Sequence, residues 1–273
     1  MGSYFRPSSL PDALAALAAR PILTPIAGGT DFYPSRIVHT PDEAVLDITA
    51  LPGLRRIESR GDHWWIPCLT TWTDIIETTL PPVFDGLKQA ARQVGGMQIQ
   101  NVGTLAGNLC NASPAADGIP CLLALDAKVE LASTTGTRIM SLTDFLLAPR
   151  KTARQPNELL LGLRIPRTDE TAQSVFLKLG ARRYLVISIA MVAAVIARSM
   201  DGRITQVQIA VGSCAATAQR LPALEAALTG TFGDTLTIHD DHLAPLAPIG
   251  DIRATAAYRR HSVGTLLRRA VAA

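Results

Sequence analysis

The stretch Gln98-Ile-Gln-Asn-Val-Gly-Thr-Leu-Ala-Gly-Asn-Leu-Cys-Asn-Ala-Ser-Pro-Ala-Ala-Asp-Gly-Ile-Pro120 holds a single carboxylate, Asp117, and no basic residue. Inside it, Gly103-Thr104-Leu105-Ala106-Gly107-Asn108 reads as a small-residue loop. Glycine and alanine let the backbone come close to a ligand, and successive N–H groups in such a loop form a concavity that attracts anions. The spacing is neither G-x-G-x-x-G nor G-x-x-x-x-G-K-[ST]: no third glycine falls at the right place and no lysine follows, which argues against an NTPase. Spacing alone leaves open a bare glycine-rich turn with no ligand. Ser113-Pro114 reads as an N-cap followed by proline at the first helical position. Asp117 then falls in the first turn of a short helix ending near Pro120 or continuing toward Leu125. A carboxylate there can accept hydrogen bonds from a sugar diol, or it can simply compensate the helix dipole.

About 75 residues upstream lies a second small-residue loop, Ala27-Gly28-Gly29-Thr30-Asp31, delivered by a short strand predicted over 22–26. A diphosphate flanked by two sugars needs donors from both sides, so two loops of this kind in one chain point to a dinucleotide-type cofactor. A bulky residue at Gly28 or Gly107 is expected to block the backbone approach and abolish cofactor retention without unfolding the chain.

The surrounding sequence is that of a well-packed protein. Over 273 residues, 48% are apolar and 18% charged, enough for two cores, and a net charge of +3 spread along the chain does not suggest nucleic-acid binding. Cys68, Cys110, Cys121 and Cys214 are scattered without a C-x-x-C pair, and no leader pattern opens the chain. The expectation is free thiols in the cytoplasm, with neither zinc nor iron–sulfur ligation by this chain. The longest apolar run, from Ile187 to Ala197, falls short of the roughly 18 residues a bilayer span needs.

Helices are predicted from Ser9 to Arg20, after Thr71, over 83–94 with Gly95-Gly96 as the stop, after Ser141, over 221–228 and from Thr255 onward. Strands are predicted over 45–48, 61–67, 128–132, 137–141 and 159–165. After a polar boundary at 167–171, three more follow, over 175–179, from Ile187, and over 204–211, the last two joined at Asp201-Gly202. A three-stranded sheet backed by helices makes this second half an α+β domain.

Four ordered groups of residues carry a resemblance: Ala27 to Asp31; Gln98 to Asn108 with Asn111 to Asp117; Leu177-Lys178-x-Gly180-x-Arg182; and Asp251-Ile-Arg-x-x-x-x-Tyr258-Arg259. Together they resemble the FAD-binding medium subunit of the molybdenum hydroxylases, the family of xanthine and carbon monoxide dehydrogenases, over nearly the whole chain. The resemblance implies an α+β fold. A two-subdomain FAD-binding domain of the vanillyl-alcohol-oxidase/PCMH-like kind spans 1–170, with subdomains of about 1–55 and 56–170. It is followed over 171–273 by a domain like the carboxyl-terminal part of the CO dehydrogenase flavoprotein, with a three-stranded antiparallel sheet and helices.

It also implies that Pro25, Ile26, Ala27, Gly28, Gly29, Thr30, Asp31 and Phe32, with Gly103, Thr104, Leu105, Ala106, Gly107 and Asn108, hold FAD. Asp117 would contact the adenosine ribose, and Leu160, Lys178 and Ile187 would lie near the flavin or the cofactor pocket. Read only as residues, Leu160 and Ile187 are equally plain core and Lys178 a solvated strand-end charge. The chain departs from the family at Leu185-Val186, where many members carry two acidic residues, and at Ala106, where they carry glycine. No cysteine-rich insertion provides an additional cluster.

The implied function is electron transfer. A partner large subunit with molybdopterin would oxidise the substrate, a small subunit with 2Fe–2S clusters would relay the electrons, and the FAD here would pass them to an external acceptor. The assembly could be a dimer of heterotrimers. This chain would supply no catalytic acid, base or metal. The competing reading is a self-contained flavin oxidase, with Cys110 the only cysteine near the loops for covalent attachment. A flavin-free structural module is a third. His239-Asp-Asp-His242 has metal-ligand residue types but reads as a solvated acidic loop, and Arg259-Arg260 and Arg268-Arg269 as a solvated helix face or a partner contact.

Overall fold

The computed structural model describes residues 3–36, 43–169, 171–233 and 237–273. Its first layer comprises β1 (Tyr4–Phe5), α1 (Leu10–Ala19), β2 (Thr24–Ile26) and β3 (Val45–Asp47), with the strands parallel in the order β1-β3-β2. Parallel neighbours need a crossover, and α1 provides one. The Ser9 hydroxyl accepts from the Asp12 N–H at 3.3 Å, and Ala13, Leu14 and Leu17 bury one face. The predicted strand over 22–26 begins only at Thr24; Ile22 is exposed.

The next layer is an antiparallel sheet in the order β4-β5-β10-β6-β7, made of β4 (Glu58–Arg60), β5 (His63–Pro67), β6 (Lys128–Ser133), β7 (Gly136–Ser141) and β10 (Leu159–Pro166). β10 is central, and its run of leucines is buried on both faces. Between β5 and β6 come α2 (Trp72–Glu77), α3 (Asp85–Ala91), α4 (Met97–Val102), α5 (Leu105–Asn111) and α6 (Gly118–Ala124). Thr71 and Asp74 close a reciprocal capping box at the start of α2. After β7 come α7 (Leu142–Phe145) and a small hairpin of β8 (Leu146–Ala148) and β9 (Lys151–Thr152).

The small-residue loop predicted over 103–108 is more ordered than that reading. Only Gly103 and Thr104 lie outside helix, and Thr104 caps α5 by accepting the Gly107 N–H at 2.9 Å. The helix predicted from Ser113 instead starts at Gly118, with Asp117 at its N-cap position, because the Ser113 hydroxyl closes a local turn on the Ala115 N–H. Pro120 lies inside α6 rather than ending it.

The carboxyl-terminal sheet contains β11 (Gln173–Leu179), β12 (Ala190–Arg198) and β13 (Ile204–Gly212), antiparallel as expected, with a two-residue edge strand, β14 (Gln219–Arg220). The side chains of β12 alternate between two cores. Met191, Ala193, Val195 and Ala197 face the amino-terminal core, while Ala190, Val192 and Ala194 face a second core. The latter is covered by α8 (Pro222–Leu228) and by the Val263, Leu266, Leu267 and Ala270 face of α9 (Ala256–Val271). An unbroken run of apolar residues from Ala190 to Ala197, facing the two cores in turn, thus makes β12 the wall shared by both halves.

Candidate functional site

A cleft of about 690 Å³ opens between β2 and the loop after it on one side and α5 on the other. That size falls within the roughly 300–1,000 Å³ of small-molecule and cofactor sites. Pro25, Ile26, Ala27, Gly28, Gly29, Thr30, Asp31 and Phe32 all line it, as do Thr104, Ala106, Gly107, Asn108 and Leu160. Gly103 and Leu105 adjoin these residues without lining the cleft.

The N–H groups of Gly28, Gly29 and Thr30 have no acceptor among the described residues. Gly29 adopts φ +63, which glycine reaches without steric cost, and this turns consecutive amides in one direction. Asn108 borders the cleft, and its buried Oδ1 has no hydrogen-bond partner among the described residues. Among the described residues outside its own helix backbone, a Cβ at Gly107 would meet only the Thr104 hydroxyl within 4 Å, at 2.9 Å. Gly28 is different: a Cβ there would lie 1.8 Å from the Val102 carbonyl oxygen, so the two walls touch and the glycine serves their packing. The expectation that both glycines guard only the ligand's approach is therefore corrected at Gly28.

The other three site candidates lie elsewhere. Asp117 and Lys178 do not line the cleft. They form a buried ion pair, Lys178 Nζ to Asp117 Oδ2 at 2.6 Å, with side chains 6% and 7% exposed. The Ser188 hydroxyl donates to the other carboxylate oxygen at 2.7 Å. Burial pushes the Asp117 carboxyl above its ordinary range, opposed by Lys178 and Ser188. Lys178 is thus no solvated charge, because β11 carries it under the α6 terminus. Ile187 is half exposed and precedes β12, so it is neither core nor cleft lining.

Arg150, Lys151 and Arg154 also line the cleft and were not singled out from the sequence. Three cations within five residues were the available signal. The β8–β9 turn brings them opposite the first loop. Cys110 and Cys68 line the cleft as well, and burial pushes their thiols up to about 11 and about 12.

Two readings outside the cleft change. Arg259 is buried, not solvated: it donates to the Ile189 and Ser213 carbonyls at 2.5 and 3.1 Å and to Asp251 at 2.7 Å. The Asp251 to Arg259 motif is therefore a clamp tying α9 to one end of the β12–β13 pair, where the chain enters β12 and leaves β13. His242 is also buried and accepts the His239 N–H, and no metal-holding cluster is found among the described residues.

Comparison with known proteins agrees with this architecture. Residues 1–168 match the family described as the FAD binding domain in molybdopterin dehydrogenase. The chain belongs to that family. Residues 176–273 match the family described as the CO dehydrogenase flavoprotein C-terminal domain.

The nicotine 6-hydroxylase medium subunit of Paenarthrobacter nicotinovorans is 31% identical over 98% of this chain and 95% of that protein. The nicotinate dehydrogenase FAD-subunit of Eubacterium barkeri is 36% identical over 68% of this chain, a match that spans 65% of that subunit, just under two thirds of its length. Among solved structures, reconstituted CO dehydrogenase from Oligotropha carboxidovorans superposes with a TM-score of 0.91 at 28% identity, covering 99% of this chain and 96% of that one. No helix among the described residues is long and apolar enough to cross a membrane.

Proposed function

We propose that this chain is the FAD-carrying electron-transfer subunit of a heteromeric, cytoplasmic molybdenum hydroxylase. Its partners are a large subunit with molybdopterin and a small subunit with 2Fe–2S clusters. One observation carries the reading: one cleft walled by both small-residue loops, with the amides of Gly28 to Thr30 unengaged among the described residues on one side and Gly107 on the other. FAD, when bound, supplies the redox chemistry, accepting electrons from an iron–sulfur partner and releasing them to an acceptor. The chain's own part is to bind and orient. The loop amides would donate to the diphosphate, and Ile26, Cys68, Trp72 and Leu160 contribute buried, largely apolar lining to the cleft.

The self-contained oxidase reading draws no support from Cys110, since a thiol held up at about 11 is a poor nucleophile near neutral pH. The visible spectrum of the purified chain tests the assignment. A flavin spectrum, native or after FAD is added, is expected, together with molybdenum and iron in co-purifying subunits. A colourless protein that refuses FAD overturns it.

A further inference from the structure

The β8–β9 turn holds Arg150 in an unusual way. Its φ is +57, a conformation that crowds the Cβ of any L residue, and its N–H donates to the Ala112 carbonyl at 3.0 Å. Ala112 is itself left-handed, φ +46, as the C-cap of α5. Two strained residues thus pin the turn to the helix that forms one wall of the cleft. From there the guanidinium spans both walls: Arg150 Nη1 donates to Asn111 Oδ1 at 2.9 Å on the α5 side and to Asp31 Oδ2 at 3.1 Å on the glycine-loop side.

The charges make sense together. A carboxylate at Asp31, bordering a place meant for a diphosphate, would repel it, and Arg150 offsets that charge. The Arg150–Asp31 pair is 62% and 53% exposed, the class of ion pair that is worth least and breaks most readily. Arg150 Nε and Nη2 have no partner among the described residues, which leaves one edge of the guanidinium able to donate to two phosphate oxygens. Arg154, its neighbour in the cleft, also donates through Nη1, but to the Glu158 and Gln155 carbonyls of its own segment at 2.7 and 3.1 Å, so it does not bridge the two walls.

We propose that Arg150 is the latch of the diphosphate site. Its Nη1 bridges Asp31 and Asn111 across the cleft, and the free Nε–Nη2 edge of the guanidinium takes the diphosphate and fastens it between the two walls. This rests on the FAD reading above and adds a positioning residue to it.

The test titrates the full-length flavin-free chain with FAD, with ADP, which keeps the diphosphate, and with riboflavin, which lacks it. Arg150→Gln should bind FAD and ADP roughly 10- to 100-fold more weakly, the loss of a charge-assisted pair, with riboflavin unchanged. It should also reduce the salt dependence of ADP binding. Arg150→Lys should recover part of the affinity. Arg150→Gly removes the charge but relaxes the left-handed backbone, so it should lose ADP affinity without losing thermal stability. Unaltered ADP binding by Arg150→Gln, or an equal loss for riboflavin, overturns the latch alone. A wild-type chain that binds neither FAD nor ADP overturns the cofactor reading, and the latch with it.

Discussion

Replacing Lys178 with methionine keeps the side chain's length and removes its charge, leaving Asp117 with only the Ser188 hydroxyl as a donor. Both partners are more than nine-tenths buried, so the carboxylate cannot recruit water in place of the lysine. Breaking a buried pair from one side costs about 3–5 kcal/mol. At about 2–4 °C per kcal/mol, the melting temperature should fall by roughly 6–20 °C.

The pH dependence identifies the cause. Burial already raises the Asp117 carboxyl above its unfolded value, so its contribution to stability is present at low pH and is lost as pH rises through the folded value. Without the lysine the carboxyl rises further, so the Lys178→Met deficit should be largest near pH 8 and shrink steadily toward pH 5. Adding Asp117→Asn, which removes the second charge, should restore most of the loss. Circular-dichroism melts of the three proteins at four pH values provide the assay. A deficit that does not vary with pH, or a double variant no better than Lys178→Met, would refute the argument that an uncompensated buried carboxylate is responsible.

Gly107→Leu should leave the melting temperature within a few degrees of wild type while flavin content after gel filtration drops to near zero, because its only close neighbour is a hydroxyl. Gly28→Ala should instead lower the melting temperature even in the flavin-free chain, since its Cβ would collide with the Val102 carbonyl. Arg259→Met should cost about 2–4 kcal/mol in denaturant unfolding by leaving two buried carbonyls unpaired. Cys68, Cys110, Cys121 and Cys214 are all driven up by burial, so a disulfide reagent at pH 8 should modify few thiols in the folded chain and four after denaturation.

Local signals made much of this fold readable. Ser9, Thr71 and Ser141 cap the helices expected after them, and Thr255 caps the helix expected to begin there, because a hydroxyl followed by a first-turn N–H is a short-range interaction. The same short range explains the misplacement at Ser113, whose hydroxyl closes a turn on the Ala115 N–H while the helix starts five residues on, at Gly118. Both small-residue loops were legible by composition, and they meet in space. Burial depends on which element lies on top, and no sequence window contains that. Hence Lys178 and Arg259 read as surface charges yet are buried, Lys178 held by Asp117 61 residues away and Arg259 by the Ile189 carbonyl 70 residues away. Arg150 escaped notice because its importance lies in a contact across 119 residues to Asp31.

The most direct test of the central claim is a crystal structure of the chain with FAD bound. The diphosphate should lie between the loop of Gly28 to Thr30 and the start of α5, within hydrogen-bond distance of the amides on the glycine-loop side. FAD seated elsewhere, or a cleft that remains empty at saturating FAD, would contradict it.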